Sequence, residues 1–105
     1  MRTTITYEFN GRDIEEKSKL IEHSSAAKLI NSLLDISDDY ATKPGYISIC
    51  ECYTYRPSLK SIMYTRKVIT PRGNKIIIRA TISASSPTLI KARKYFNTLG
   101  IMHSF

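Results

Sequence analysis

The sequence predicts an α+β fold in the order β-α-β-β-β-α, with an antiparallel sheet and two helices packed on one of its faces. Three observations predict it. Arg2 to Phe9 and Lys75 to Ala84 alternate apolar and polar residues with the period of a strand. Apolar residues between Leu20 and Leu34, and again from Leu89 to Leu99, recur at helical spacing. Turn sequences, not long linkers, separate the three strands between the helices, so these strands form a meander. With 105 residues, 42% of them hydrophobic and 24% charged, the chain has the composition of a globular protein and the size of one domain, residues 1–105.

In the first strand Ile5, Tyr7 and Phe9 share a face, and Asn10-Gly11 ends it, because both residue types tolerate positive φ. Asp13 to Lys19 reads either as a short return strand with Ile14 inward or as the first turn of a helix. A helix is expected from about Ser18 or Ser24 to Leu34, with Leu20, Ala27, Ile30 and Leu34 on its apolar face. Ser24 or Ser25 would be the N-cap if the helix starts late. Asp35 to Gly45 reads as a polar loop. A strand rich in Ile, Tyr, Cys and Thr follows from Tyr46 to Tyr55. Arg56-Pro57-Ser58 breaks it, Leu59 to Thr70 resumes as the next strand, and Pro71-Arg72-Gly73-Asn74 turns into the strand from Lys75 to Ala84. There Ile76, Ile78, Ala80, Ile82 and Ala84 oppose Lys75, Ile77, Arg79, Thr81 and Ser83. Ser85-Ser86-Pro87 starts the last helix, which stops at Gly100 and leaves Ile101 to Phe105 as a tail.

Charge is divided unevenly along this frame. Residues 1–55 hold six bases and nine acids, a net of −3, whereas residues 56–105 hold ten bases and no acid, a net of +10. Bases with no acid near them in sequence must face water or meet an anionic partner. On the last helix Leu89, Ala92, Phe96 and Leu99 form the apolar stripe, while Lys91, Lys94, Tyr95 and Thr98 fall on another, flanked by Arg93. A merely solvated helix usually interleaves Glu with Lys, and this one has none. A second basic group, Arg56, Lys60, Arg72 and Lys75, lies around the two meander turns, with Arg66, Lys67 and Arg79 inside strands. Tyr53, Tyr55 and Tyr64 are interleaved with them. These rings would stack on bases if they lay on the open sheet face, or would pair across strands and stabilise the sheet.

Catalytic motifs are missing: there is no glycine-rich phosphate loop and no informative pairing of His with Cys or Glu. Asp35, Asp38 and Asp39 read as a solvated loop, and His23, on the first helix, and His103, in the tail, as structural or exposed. Cys50 and Cys52 share a strand face, a geometry that disfavours a disulfide, and with only two histidines in the chain they lack the ligand set of a zinc site. They are expected as reduced core residues, with no metal or cofactor. Apolar runs are too short to span a bilayer, and Met1 to Phe9 does not form the apolar block of a secretory signal, so a cytoplasmic location is expected.

From Ser24 onward the order helix, three strands, helix resembles the double-stranded RNA-binding domain. Ala27 to Leu34 sits where that family has its first helix, Pro44-Gly45-Tyr46 is similar to its Pro-x-Tyr approach to the first strand, and Lys91-Ala92-Arg93-Lys94 is similar to its basic helix motif. The resemblance implies contacts from Lys28 and Asn31 and from Arg56, Ser58 and Lys60 to successive minor grooves of an RNA duplex, and from Lys91, Arg93 and Lys94 to the phosphates between them. With the first strand counted, the order also resembles the ribosome hibernation factors, which bind ribosomal RNA through basic helices. The expected function is a non-enzymatic nucleic-acid-binding module, RNA favoured over DNA. The alternative is a small inhibitor or adaptor of the type viruses of bacteria encode, for example an anti-defence protein, docking on an acidic host protein or nucleoprotein complex. A homodimer through an exposed sheet edge fits either reading, with the N-terminal strand covering an edge or creating one.

Overall fold

A computed structural model describes residues 1–13 and 19–104. The elements are strands β1 (Arg2–Phe9), β2 (Arg12–Asp13) and β3 (Lys19–Glu22), helix α1 (Ala26–Ala41), strands β4 (Ile47–Arg56), β5 (Ser61–Ile69) and β6 (Lys75–Ser83), helix α2 (Ser86–Thr98) and strand β7 (Met102–His103). A 3-10 turn, Pro57–Leu59, links β4 to β5. All strands join one sheet in the order β2-β1-β6-β5-β4-β7, with β3 also paired to β1. The sheet is mixed and not purely antiparallel, because β7 runs parallel to β4. Both helices lie on one side of it, as expected.

Asn10 and Gly11 both take positive φ, 48° and 85°, and so close a tight hairpin that pairs Phe9 with Arg12. The strand-or-helix choice for Asp13 to Lys19 falls largely on residues 14–18, outside the described residues. On either side of that stretch, β2 and β3 both pair antiparallel with β1. Leu20, expected on a helix face, is therefore a strand residue and 59% exposed. β1 is consequently an interior strand, held by β2 and β3 on one edge and by β6 on the other.

Helix α1 starts late, with Ser25 as the N-cap accepting a hydrogen bond from the Lys28 backbone amide. It also runs seven residues past Leu34, where a loop is expected. Ser37, Tyr40 and Ala41 continue the buried stripe of Leu29, Ile30 and Leu33 at spacings of three and four. Asp35, Asp38 and Asp39 thus occupy the helix's outer turns and not a loop. His23 sits between β3 and α1, its Nε2 sharing a 2.7 Å hydrogen bond with Ser32 Oγ.

The core lies between sheet and helices. Ile5 and Tyr7 of β1, Ile76, Ile78, Ala80 and Ile82 of β6, Ile62, Tyr64 and Val68 of β5 and Tyr53 of β4 meet α1 and α2, all nearly inaccessible to water. Each fully buried aliphatic side chain contributes roughly 1.5–3 kcal/mol. From α2 the core takes Leu89, Ala92 and Phe96; Leu99 is left 44% exposed because the helix ends before completing the turn that would bury it. Ile101 takes its place, 5% exposed, and the expected tail becomes β7, where the Ser104 amide donates to the Tyr53 carbonyl at 2.7 Å. Phe105 lies outside the described residues.

The opposite sheet face is uncovered. It carries Thr4 and Thr6 of β1, Lys75, Ile77, Arg79 and Thr81 of β6, and Met63, Thr65 and Lys67 of β5. Leu59, expected to begin β5, belongs to the 3-10 turn and is 64% exposed. Gly45, at φ +80°, brings the loop before β4 against the β5–β6 turn; a Cβ there would lie 2.8 Å from Pro71 Cγ.

Candidate nucleic-acid interface

The ten bases of the second half do not share one surface. Arg66 is withdrawn first. It lies on the helix side of β5, opposite Glu51 in register, and is 8% exposed. Its guanidinium forms an ion pair with Asp38, approaches Glu51 to 3.7 Å and donates through Nε to Ser48 Oγ at 3.0 Å. Burial works against its charge, but the Asp38 hydrogen bond and the surrounding negative groups outweigh that and raise its pKa. Arg66 is therefore a structural cation and not a phosphate ligand. Arg79 is engaged too, donating from Nη1 to Glu8 Oε2 at 2.6 Å across the β1–β6 ladder. Among the described residues the other eight bases form no ion pair.

The tyrosines divide in the same way. Tyr53 and Tyr64 are 1% exposed, directly opposite each other in register on the helix-covered face, so they do not form an open stacking platform. Both stack on Phe96, with ring centroids 5.3 and 6.1 Å away. Tyr53 donates its hydroxyl to Asn97 Oδ1, and Tyr64 donates to Glu51 Oε2, both at 2.6 Å. Burial first, then the Glu51 hydrogen bond, pushes the Tyr64 pKa up. Cross-strand pairing is what the structure shows for these two, because the strand face that carries them is the one Phe96 covers. Tyr55 remains accessible in part, with Arg93 Cζ 5.3 Å above its ring.

That contact joins two of the expected basic groups. Tyr55 sits at the end of β4 next to Arg56, and Lys60 ends the 3-10 turn in a left-handed conformation, φ 48°. Arg93 reaches this end of β4 from α2, and Lys91 and Lys94 are exposed on the same helix, opposite its buried residues. Arg93 thus ties α2 to the end of β4 that holds Arg56 and Lys60, while Lys91 and Lys94 stand on the outward face of the same helix. Arg72 and Lys75 lie apart, at the opposite end of the meander, and Lys67 lies on the open sheet face. Of the α1 residues implied by the RNA-binding resemblance, Lys28 is exposed, and Asn31 accepts a hydrogen bond from the Tyr95 hydroxyl at 2.5 Å, which ties α1 to α2.

The cluster of buried Ser37, Tyr64 and Arg66 with exposed Asp38 and Glu51 at its rim is invisible in sequence, because its members come from three elements and no spacing rule connects them. Hollows on the surface are shallow. One of about 620 Å³ lies on the open face between Arg2, Thr6, Leu20 and Arg79. A second of about 390 Å³ lies between Tyr46 and Arg72. Among the described residues no three of His, Cys, Asp or Glu gather as a metal site would require, and no helix is long and apolar enough to cross a membrane. Comparisons with family models, curated proteins and solved structures return no match.

Proposed function

We propose that this protein is a non-enzymatic, cytoplasmic nucleic-acid-binding module that meets the phosphate backbone, preferentially of RNA, along the flank formed by α2 and the β4–β5 turn. The observation that supports this reading is the seating of Arg93 on Tyr55, which ties the basic helix α2 to the end of β4 next to Arg56, and among the described residues no acid pairs with the bases of α2 or of this turn. Bases held on a packed helix and a short turn offer phosphates a preset array, with little side-chain order to be lost on binding. The order α1–β4–β5–β6–α2 supports RNA over DNA, since it is the order that the resemblance to the double-stranded RNA-binding domain implies.

Binding to duplex RNA, duplex DNA and single strands at two salt concentrations tests the reading. Duplex RNA should bind most tightly, and affinity should fall steeply with salt. Replacing Lys91, Arg93 and Lys94 by Ala should flatten the log–log salt slope by up to about 0.9 for each phosphate no longer neutralised. If nothing binds at low salt, the nucleic-acid reading fails and a capture experiment for an acidic protein partner takes its place.

A further inference from the structure

The Cys50-Glu51-Cys52 segment has no part in the proposed interface, and the structure places it differently from what its sequence suggests. Neither cysteine is in the core: Cys50 is exposed and Cys52 partly so, and both are free thiols. They project from the open face of β4, where Cys50 is opposite Lys67 and Cys52 opposite Thr65, just past a register shift in the β4–β5 ladder between Ser48 and Cys50. On the other side of β4, Met102 of β7 pairs with Cys52, so its side chain leaves the sheet on the same face. Met102 is 72% exposed, the most exposed large hydrophobic residue among those described. His103 is turned away, its ring 5.2 Å from that of Tyr53 on the covered side.

We propose that Cys50, Cys52 and Met102 form a surface site for monovalent copper. Two thiols and a thioether are soft donors, and such donors select Cu(I). Zinc completes a tetrahedron, and no further His, Cys, Asp or Glu among the described residues joins the pair to fill one. Cu(I) is satisfied by two thiolates, with a thioether as an optional third donor. On binding, each thiol loses its proton to solvent and two S–Cu bonds form with no change of oxidation state. One cation entering and two protons leaving give a bis-thiolate centre of net charge −1. Lys67, across the ladder from Cys50, offsets that charge. The third ligand escapes a reading of the cysteine spacing because it comes from a segment that looks like a tail.

The test is anaerobic titration of the whole protein with Cu(I) against a chromophoric Cu(I) chelator, read by the ultraviolet thiolate-to-copper charge-transfer band and by chelator colour. The wild type should hold one Cu(I) per monomer against the chelator. Cys50→Ser and Cys52→Ser should each abolish retention while leaving the circular dichroism and melting curve unchanged, as expected for surface positions. Met102→Leu should weaken retention by roughly tenfold, and Lys67→Ala by a similar factor through loss of its compensating charge. The proposal is overturned if the wild type yields its copper to the chelator as readily as the double Ser variant does. It is also overturned if Met102→Leu leaves retention unchanged, or if copper binds at one per two chains with a shift to a dimer on size exclusion.

Discussion

Arg66 looks like its neighbours in sequence: one base among ten, on a strand, beside Lys67. Its role is set by residues far along the chain, since Asp38 arrives on α1 and Glu51 on β4, and only the folded sheet brings them to its guanidinium. Tyr64 completes the same network with buried Ser37 and exposed Glu51, and two predictions follow from its hydroxyl. Tyr64→Phe should cost about 1–3 kcal/mol at neutral pH, because buried Ser37 loses a hydrogen bond that water cannot replace. Chemical denaturation measures this directly. The pH dependence has a definite sign. Burial raises the pKa of Tyr64, and burial followed by the proximity of Tyr40 raises that of Tyr7, so both keep their protons in the fold after unfolded tyrosines begin to ionise near pH 10. The unfolded state then binds fewer protons, and the stabilisation present below pH 10 is lost as pH rises. Denaturation midpoints should fall above pH 10, and less steeply in Tyr64→Phe, which has one titrating group fewer.

Elements with regular periods were legible, and those set by tertiary contacts were not. The meander, the Asn10-Gly11 hairpin and the start of α2 with Pro87 in its first turn follow from local rules and stand where expected, although Ser85, at the N-cap, makes no capping hydrogen bond to the helix backbone. The last turns of α1 did not, because three aspartates in five residues resemble a loop. The signal that outweighed them was sparse: Ser37 and Tyr40 continue the buried stripe. β7 has only two residues and no alternation to read, since pairing with the backbone of β4 and the hydrogen bond from the Ile101 amide to the Phe96 carbonyl create it. This gives a contrast between two apolar residues near the end of the chain. Ile101→Ala should destabilise by about 2–4 kcal/mol, as a buried aliphatic truncation does, whereas Leu99→Ala should stay within about 0.5 kcal/mol, as an exposed one does. Urea unfolding of the two variants side by side measures the difference, and equal effects would contradict the placement of Ile101 in the core.

At the scale of the molecule, the charge split is partly healed by folding. Acids from the first half cross the sheet to Arg66 and Arg79, leaving eight of the second half's ten bases without an ion pair among the described residues. Sequence shows that the second half lacks acids, but not where the acids of the first half go, so it overcounts the free cations. It also cannot show that the remaining bases separate into a flank, a far turn and an open face. Under the proposed function, Arg72→Ala with Lys75→Ala should weaken RNA binding much less than Lys91→Ala with Arg93→Ala, although the two variants remove the same charge. Equal losses would indicate a diffuse field and not a flank, and filter binding at fixed salt distinguishes them. The position of β1 matters in another respect. Ile5 to Phe9 pair with Ile76 to Ala80, so β1 waits until β6, far along the chain, has been made before its second edge is filled. Until then its only partners are β2 and β3, and α1 has only that small ribbon to pack on. Vectorial synthesis therefore favours a late, nearly all-or-none closure of this sheet.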